Sequence, residues 1–150
     1  MSPKVNRVIK TASFPGRYDH LIKISEFVTQ AANNIGFKDD AIYAIQMAVD
    51  EACTNIIEHA YASEGQGDIQ CTCLIRDNEL TIILHDHGKP FDPSRIPEPN
   101  VFSRLEDRQS GGLGLYFMRQ MMNKVEFRFD PPSGSDPGGN VLTLIKRKES

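Results

Sequence analysis

Tryptophan is absent from these 150 residues, cysteine occurs only three times, and no long hydrophobic run is present. Each shortage excludes something. An odd count of thiols without paired spacing gives no disulfide framework, which argues against a small secreted scaffold. The apolar-dominated stretches, 80–84 among them, run four or five residues, far short of the ~20 needed to cross a bilayer as a helix. The opening residues, Met1 to Lys10, are basic but lack the apolar core of a secretory leader. Basic charge is also short: 17 Lys and Arg stand against 20 Asp and Glu, a formal net charge of −3, so there is no electrostatic footprint for nucleic acid. Internal repeats and low-complexity tracts are lacking too. What remains is 39% hydrophobic residues in a length that suits one domain. That is enough for a packed core, and it excludes wholesale disorder. A single cytoplasmic domain over 1–150, with no membrane and no nucleic-acid partner, is the expectation.

The cysteines fit that setting. Cys71 and Cys73 lie at strand spacing on one face, and Cys53 lies within a helical pattern. A Cys-x-Cys metal half-site has no convincing second half here, so the spacing predicts buried structural thiols.

Val5 to Phe14 reads as an opening strand stopped by Pro15-Gly16. Asp19 is placed to cap a helix whose apolar positions are Leu21, Ile24, Phe27, Val28 and Ala31, and the stretch Asn34 to Gly36 ends it. Asp39 or Asp40 then caps a longer helix with the stripe Ile42, Ile45, Val49, Ala52, Ile56 and Ala60, and the region closes at Gly65 and Gly67. Two strands follow, Asp68 to Ile75 and Leu80 to His85, joined through Asp77-Asn78. From Asp86 to Gly112 the pattern dissolves into charges and four prolines, which reads as a lid of about 25 residues. A short helix, Leu113 to Met122, and two strands, Val125 to Phe129 and Asn140 to Lys146, complete the chain. The order predicts an α/β two-layer sandwich with a mixed, mostly antiparallel sheet and helices on one face.

Three features carry chemistry. The second helix bears Glu51, Asn55 and His59 at i, i+4 and i+8, on a face separate from its apolar stripe. A carboxylate one turn from an amide carbonyl can take a proton and hold Mg²⁺, although a solvated helix face shows the same spacing. Asp86-His87-Gly88 follows an apolar strand, where ligands of α/β proteins bind, and a carboxylate there accepts from an exocyclic amine; an ordinary turn also reads Asp-x-Gly. His85 and His87 share a face but have no third metal ligand in view. Last, Gly111-Gly112-Leu113-Gly114 opens a helix, freeing N–H groups for phosphate or serving as a hinge; it is neither a Walker nor a Rossmann motif.

Together, in this order, the three boxes resemble the ATP-binding superfamily of gyrase, histidine kinases and mismatch-repair ATPases, the Bergerat fold, over about Asp19 to Lys146. In detail the chain is most similar to the small bacterial anti-sigma-factor serine kinases, through Asp50-Glu51-Ala52-Cys53-Thr54-Asn55-Ile56-Ile57-Glu58-His59-Ala60-Tyr61 and through Phe91-Asp92-Pro93. The resemblance implies a protein-serine kinase in which Glu51 is the general base, Asn55 holds Mg²⁺ against the ATP phosphates and Asp86 reads the adenine amino group. It further implies that Gly88 keeps the adenine pocket open, that Gly111, Gly112, Leu113 and Gly114 wrap the phosphates, and that Thr143 supports the adenine contact through water. Arg104 or Arg108, in a lid over about 88–112, would meet the γ-phosphate, and His59 matches a histidine with a structural role. The implied partners are a sigma factor or similar target and a small antagonist protein as phosphoacceptor; homodimer pairing stays open. Two departures stand out. Pro90 replaces the second glycine of Asp-x-Gly-x-Gly, as often in this small-kinase branch, and the 18 residues before the first helix hold no phosphoacceptor helix pair of a sensor kinase. The other reading is a nucleotide-gated protein-binding module without useful kinase activity, for which Glu51 would be superfluous.

Overall fold

The computed structural model describes residues 7–93 and 114–149. Five strands form one sheet in the order β1-β2-β3-β5-β4: β1 Arg7–Pro15, β2 Asp68–Arg76, β3 Glu79–Asp86, β4 Lys124–Asp130 and β5 Gly139–Arg147. Every pairing among the described strands is antiparallel, so the expected mixed sheet has no parallel pair among them. Among the described residues there are three α-helices: α1 Leu21–Ile35, α2 Asp39–Asn55 and α3 Gly114–Met121.

The strand pattern decides which face the helices cover. In β2 the odd residues Ile69, Cys71, Cys73 and Ile75 are buried, and in β3 the even residues Leu80, Ile82, Leu84 and Asp86. Period-two alternation puts these on one face, and α1 and α2 bury Ile24, Val28, Ile45 and Val49 in the same core. A few aromatic contacts rim it, such as Phe14 against Phe27 at 5.7 Å between ring centroids. All three cysteines are free and buried there, as their spacing predicts.

The helix starts differ from expectation. A single 3-10 turn, Tyr18–His20, precedes α1, whose N-cap is His20, and Asp19 caps nothing. Its carboxylate is taken by Arg17 at 3.3 Å and His20 at 3.1 Å instead. At α2 the N-cap is Lys38, so Asp39 and Asp40 are already helical. They favour the helix as charges in its positive first turn, and Asp40 accepts the Ala41 N–H at 2.9 Å. Helix α1 does stop at Gly36, whose φ of 92° suits a residue without Cβ.

The second helix does not run unbroken to Ala60. After Asn55 it widens into a π turn, Ile56–Ala60, closed by the Tyr61 N–H on Ile56 O at 3.0 Å. Such turns are rare and occur mostly as single insertions within α-helices, often at functional sites.

Candidate functional site

The C-terminal end of α2, through its π turn, and the C-terminal end of β3 meet at one place. Asp86 is the last residue of β3 and is fully buried on the helix-covered face. Two residues on, Gly88 packs against the end of the π turn: a Cβ there would lie 2.6 Å from the carbonyl carbon and oxygen of Ala60. The Lys89 N–H closes the junction on Ala60 O at 3.0 Å. Gly88 therefore lets backbone touch backbone, since the space a Cβ would take is filled by Ala60.

The two oxygens of Asp86 have different lives. Oδ1 accepts from Gly88 N and from Asn140 Nδ2, each at 2.9 Å, while Oδ2 is buried without a hydrogen-bond partner. Burial raises this carboxyl above its ordinary value, against the pull of those two hydrogen bonds and of His85 and His87.

Asn140 was missed from the sequence. It is 2% exposed, opposite Asp86 in the β3–β5 register, and one residue past Gly139. Thr143, the β5 residue expected near adenine, pairs instead with Ile83 and Glu126. It lies on the opposite face of the sheet from Asp86, grouped with Glu126, Arg128 and Val141. The strand alternation forbids the expected contact, since an odd-numbered residue of β5 cannot share the face of Asn140. A signal for Asn140 was present, because a polar residue at a strand start beside a Gly-Gly pair is out of keeping with the apolar run that follows.

On the helix side, Asn55 is 1% exposed, and neither its amide nitrogen nor its oxygen has a hydrogen-bond partner. Glu51, one turn earlier, is half-buried with Oε2 unpartnered, and His59 Nε2 is likewise buried and unpartnered. Five side chains with orphaned polar atoms in one helix end and the adjoining strand end, His85 with its Nε2 among them, are far from the usual satisfaction of buried polar groups. Burial pushes the Glu51 carboxyl up, with Asp50 and Glu58 adding to the rise. The ring of His59 lies 5.9 Å from that of Phe91, which lies 5.8 Å from Phe127.

Other expected residues divide as follows. Gly114 is the first residue of α3, as a glycine-opened helix requires. Arg104, Arg108, Gly111, Gly112 and Leu113, with the lid beyond Pro93, lie outside the described residues. His85 and His87 pack with ring centroids 4.6 Å apart, and His87 Nδ1 meets Gly138 O at 2.6 Å. Among the described residues no group of three or more His, Cys, Asp or Glu side chains could hold a metal ion. Asn55 Oδ1 is nevertheless a hard oxygen donor of the kind that Mg²⁺ takes singly while phosphates and waters complete its shell. The orphaned amide thus fits a nucleotide-bound Mg²⁺, and the orphaned Asp86 oxygen fits an amino group.

The model of the histidine kinase-like ATPase domain matches residues 14–146. The chain belongs to the histidine kinase-like ATPase domain family. Similar curated proteins include the serine-protein kinase RsbW of Halalkalibacterium halodurans, 37% identical over 79% of this chain and 70% of the relative. The protein of the same name from Bacillus cereus is 31% identical over 77% and 74%. Among solved structures, the RsbU and RsbW domains of a Mycobacterium tuberculosis protein align over 93% of this chain at a TM-score of 0.62 and 17% identity; the chain spans about a third (32%) of that structure. A mycobacterial sensor histidine kinase, MprB, aligns over 93% of this chain and 97% of its own at a TM-score of 0.51 and 18% identity. Both structural likenesses speak for the family's α/β fold.

Proposed function

We propose that this chain is an ATP-dependent protein-serine kinase and anti-sigma-type regulator. It binds a target, a sigma factor or comparable protein, and phosphorylates a serine of a small antagonist protein, in the cytoplasm. The observation that carries this reading is the pair at the end of α2: a half-buried carboxylate with a raised pKa, Glu51, one turn from an amide with no internal partner, Asn55.

Each residue has one task. Asp86 offers Oδ2 to the exocyclic amine of adenine. Asn55 would hold Mg²⁺ through its amide oxygen, and the ion would supply neutralisation of phosphate charge. Glu51 accepts the proton of the serine hydroxyl as the serine oxygen attacks the γ-phosphorus and the bond from that phosphorus to the bridging oxygen breaks, leaving ADP; a carboxyl raised towards neutrality is a better base than an ordinary one. The glycines 111, 112 and 114, with Arg104 or Arg108, would surround the phosphates from the lid side. A binding module without transfer would need Asp86 and Asn55 but no base.

Incubation with γ-labelled ATP and a small protein co-purified with the chain tests the reading. Label on a serine of that protein is the expected result. Tight ATP binding with no label on any such protein would favour the binding module.

A further inference from the structure

Asn140 makes three side-chain hydrogen bonds at the junction, and they run in two directions. Its Nδ2 donates to Asp86 Oδ1 at 2.9 Å and to Lys89 O at 2.9 Å, and its Oδ1 accepts from Phe91 N at 3.2 Å. Two acceptors on one side and one donor on the other fix which end of the amide is which. With Gly88 N also on Asp86 Oδ1, that oxygen already has two donors, and rotating the carboxylate would break both bonds.

We propose that Asn140 is a positioning residue that makes Asp86 Oδ2 the sole open acceptor for a purine 6-amino group and ties occupancy of that acceptor to the segment Lys89–Phe91. The proposal rests on the reading that adenine sits at Asp86. A carboxylate with one free oxygen held in one direction accepts from an amine and repels a carbonyl. Purines with oxygen at position 6, such as guanine, are therefore refused, and a purine with only hydrogen there gains nothing. The same amide grips both backbone groups of the chain leaving β3. A base that draws Asp86 into tighter register thus also orders Lys89 O and Phe91 N, and with them the Phe91 ring that lies against His59.

The test uses ATP and purine riboside triphosphate, which lacks the amino group, on the whole wild-type chain and Asn140→Leu. Calorimetry gives the affinities, and amide hydrogen exchange reports Phe91. The wild type should prefer ATP by roughly tenfold, the worth of one good hydrogen bond to a charged acceptor. In Asn140→Leu the preference should collapse through weaker ATP binding, with the analogue's affinity unchanged. Phe91 exchange should slow on ATP in the wild type and stay fast, with or without ATP, in the variant. A residue that is merely structural would weaken both nucleotides alike and keep the preference, which overturns the proposal. Should Asn140→Leu not fold, Asn140→Ser and the wild-type comparison decide: equal slowing of Phe91 by ATP and by the analogue overturns it. A wild type that binds both nucleotides equally sinks the adenine assignment itself, and one that binds neither sinks the functional reading. Both results differ from the loss of coupling alone.

Discussion

Glu51 and Asn55 stand one turn apart at the end of α2, and each keeps a buried polar atom without a hydrogen-bond partner. Leaving such atoms bare costs about 1–3 kcal/mol apiece, a cost that a ligand can remove. The two residues should fail differently when altered. Glu51→Gln retains shape and should bind ATP nearly as well as the wild type while serine phosphorylation falls about 10²–10⁴-fold. Asn55→Ala should lose Mg²⁺-dependent ATP binding first. Nucleotide affinity and single-turnover transfer, measured on both variants, separate the roles; full transfer in Glu51→Gln would remove the base assignment.

The pH dependence follows from the raised Glu51 carboxyl. Its ordinary value is 4.5, and burial, then Asp50, then Glu58 lift it in the folded chain. Transfer needs the ionised base, so the acid limb of the transfer rate should lie above 4.5 and move down in Asp50→Asn. For stability the sign is opposite. The folded state holds this proton more tightly than the unfolded one, so the contribution is present below the ordinary value and is lost as pH rises through the raised one. Glu51→Gln should therefore be the more stable protein at neutral pH, with the gap closing as pH falls towards 4.5. Thermal melts of both proteins across pH check this; a gap that widens on acidification contradicts it.

Asp86→Asn has a forced geometry. Oδ1 must remain an acceptor for Gly88 and Asn140, so the new NH₂ occupies the place of Oδ2. Donor then faces donor at the adenine amine, and ATP affinity should drop by about 1–3 kcal/mol. Unchanged affinity in calorimetry would show that adenine binds elsewhere.

Gly88→Ala tests the junction rather than the ligand. The added methyl would meet the backbone of Ala60 at 2.6 Å, and a helix end held by the Lys89 N–H cannot easily retreat. A loss of about 1–3 kcal/mol is expected, read as a Tm lower by several degrees, with weaker ATP binding as β3 and the π turn part. An unaltered melt would show that the contact is soft.

Most of the fold was legible because its elements carry strong periods. The stripe of α2 and the alternation of β2 and β3 follow directly from where apolar residues recur. Glu51, Asn55 and Asp86 were legible as residues at the ends of such elements. What escaped depended on geometry that periods do not encode. Nothing in Ile56–Ala60 distinguishes a π turn from another α turn. The face of Thr143 depends on where β5 begins, and counting from Gly139 gives the even positions to the core side. Asp19 looked like a cap because its type suits one, yet its neighbours Arg17 and His20 offered it nearer partners.

The place of β5 also bears on how the molecule assembles. It is the latest of the described strands along the chain, yet it lies inside the sheet between β3 and β4. Until it inserts, β4 has no strand to pair with and β3 ends in an unsupported Asp86. During synthesis the earlier hairpin of β2 and β3 can form from local contacts, whereas the Asp86–Asn140 pair waits for a residue 54 positions further on. Pulse-labelled exchange during refolding should find β4 and β5 amides protected together, after those of the β2–β3 hairpin. A nascent chain would thus acquire its shape before its ligand, and nucleotide could stabilise only the finished domain.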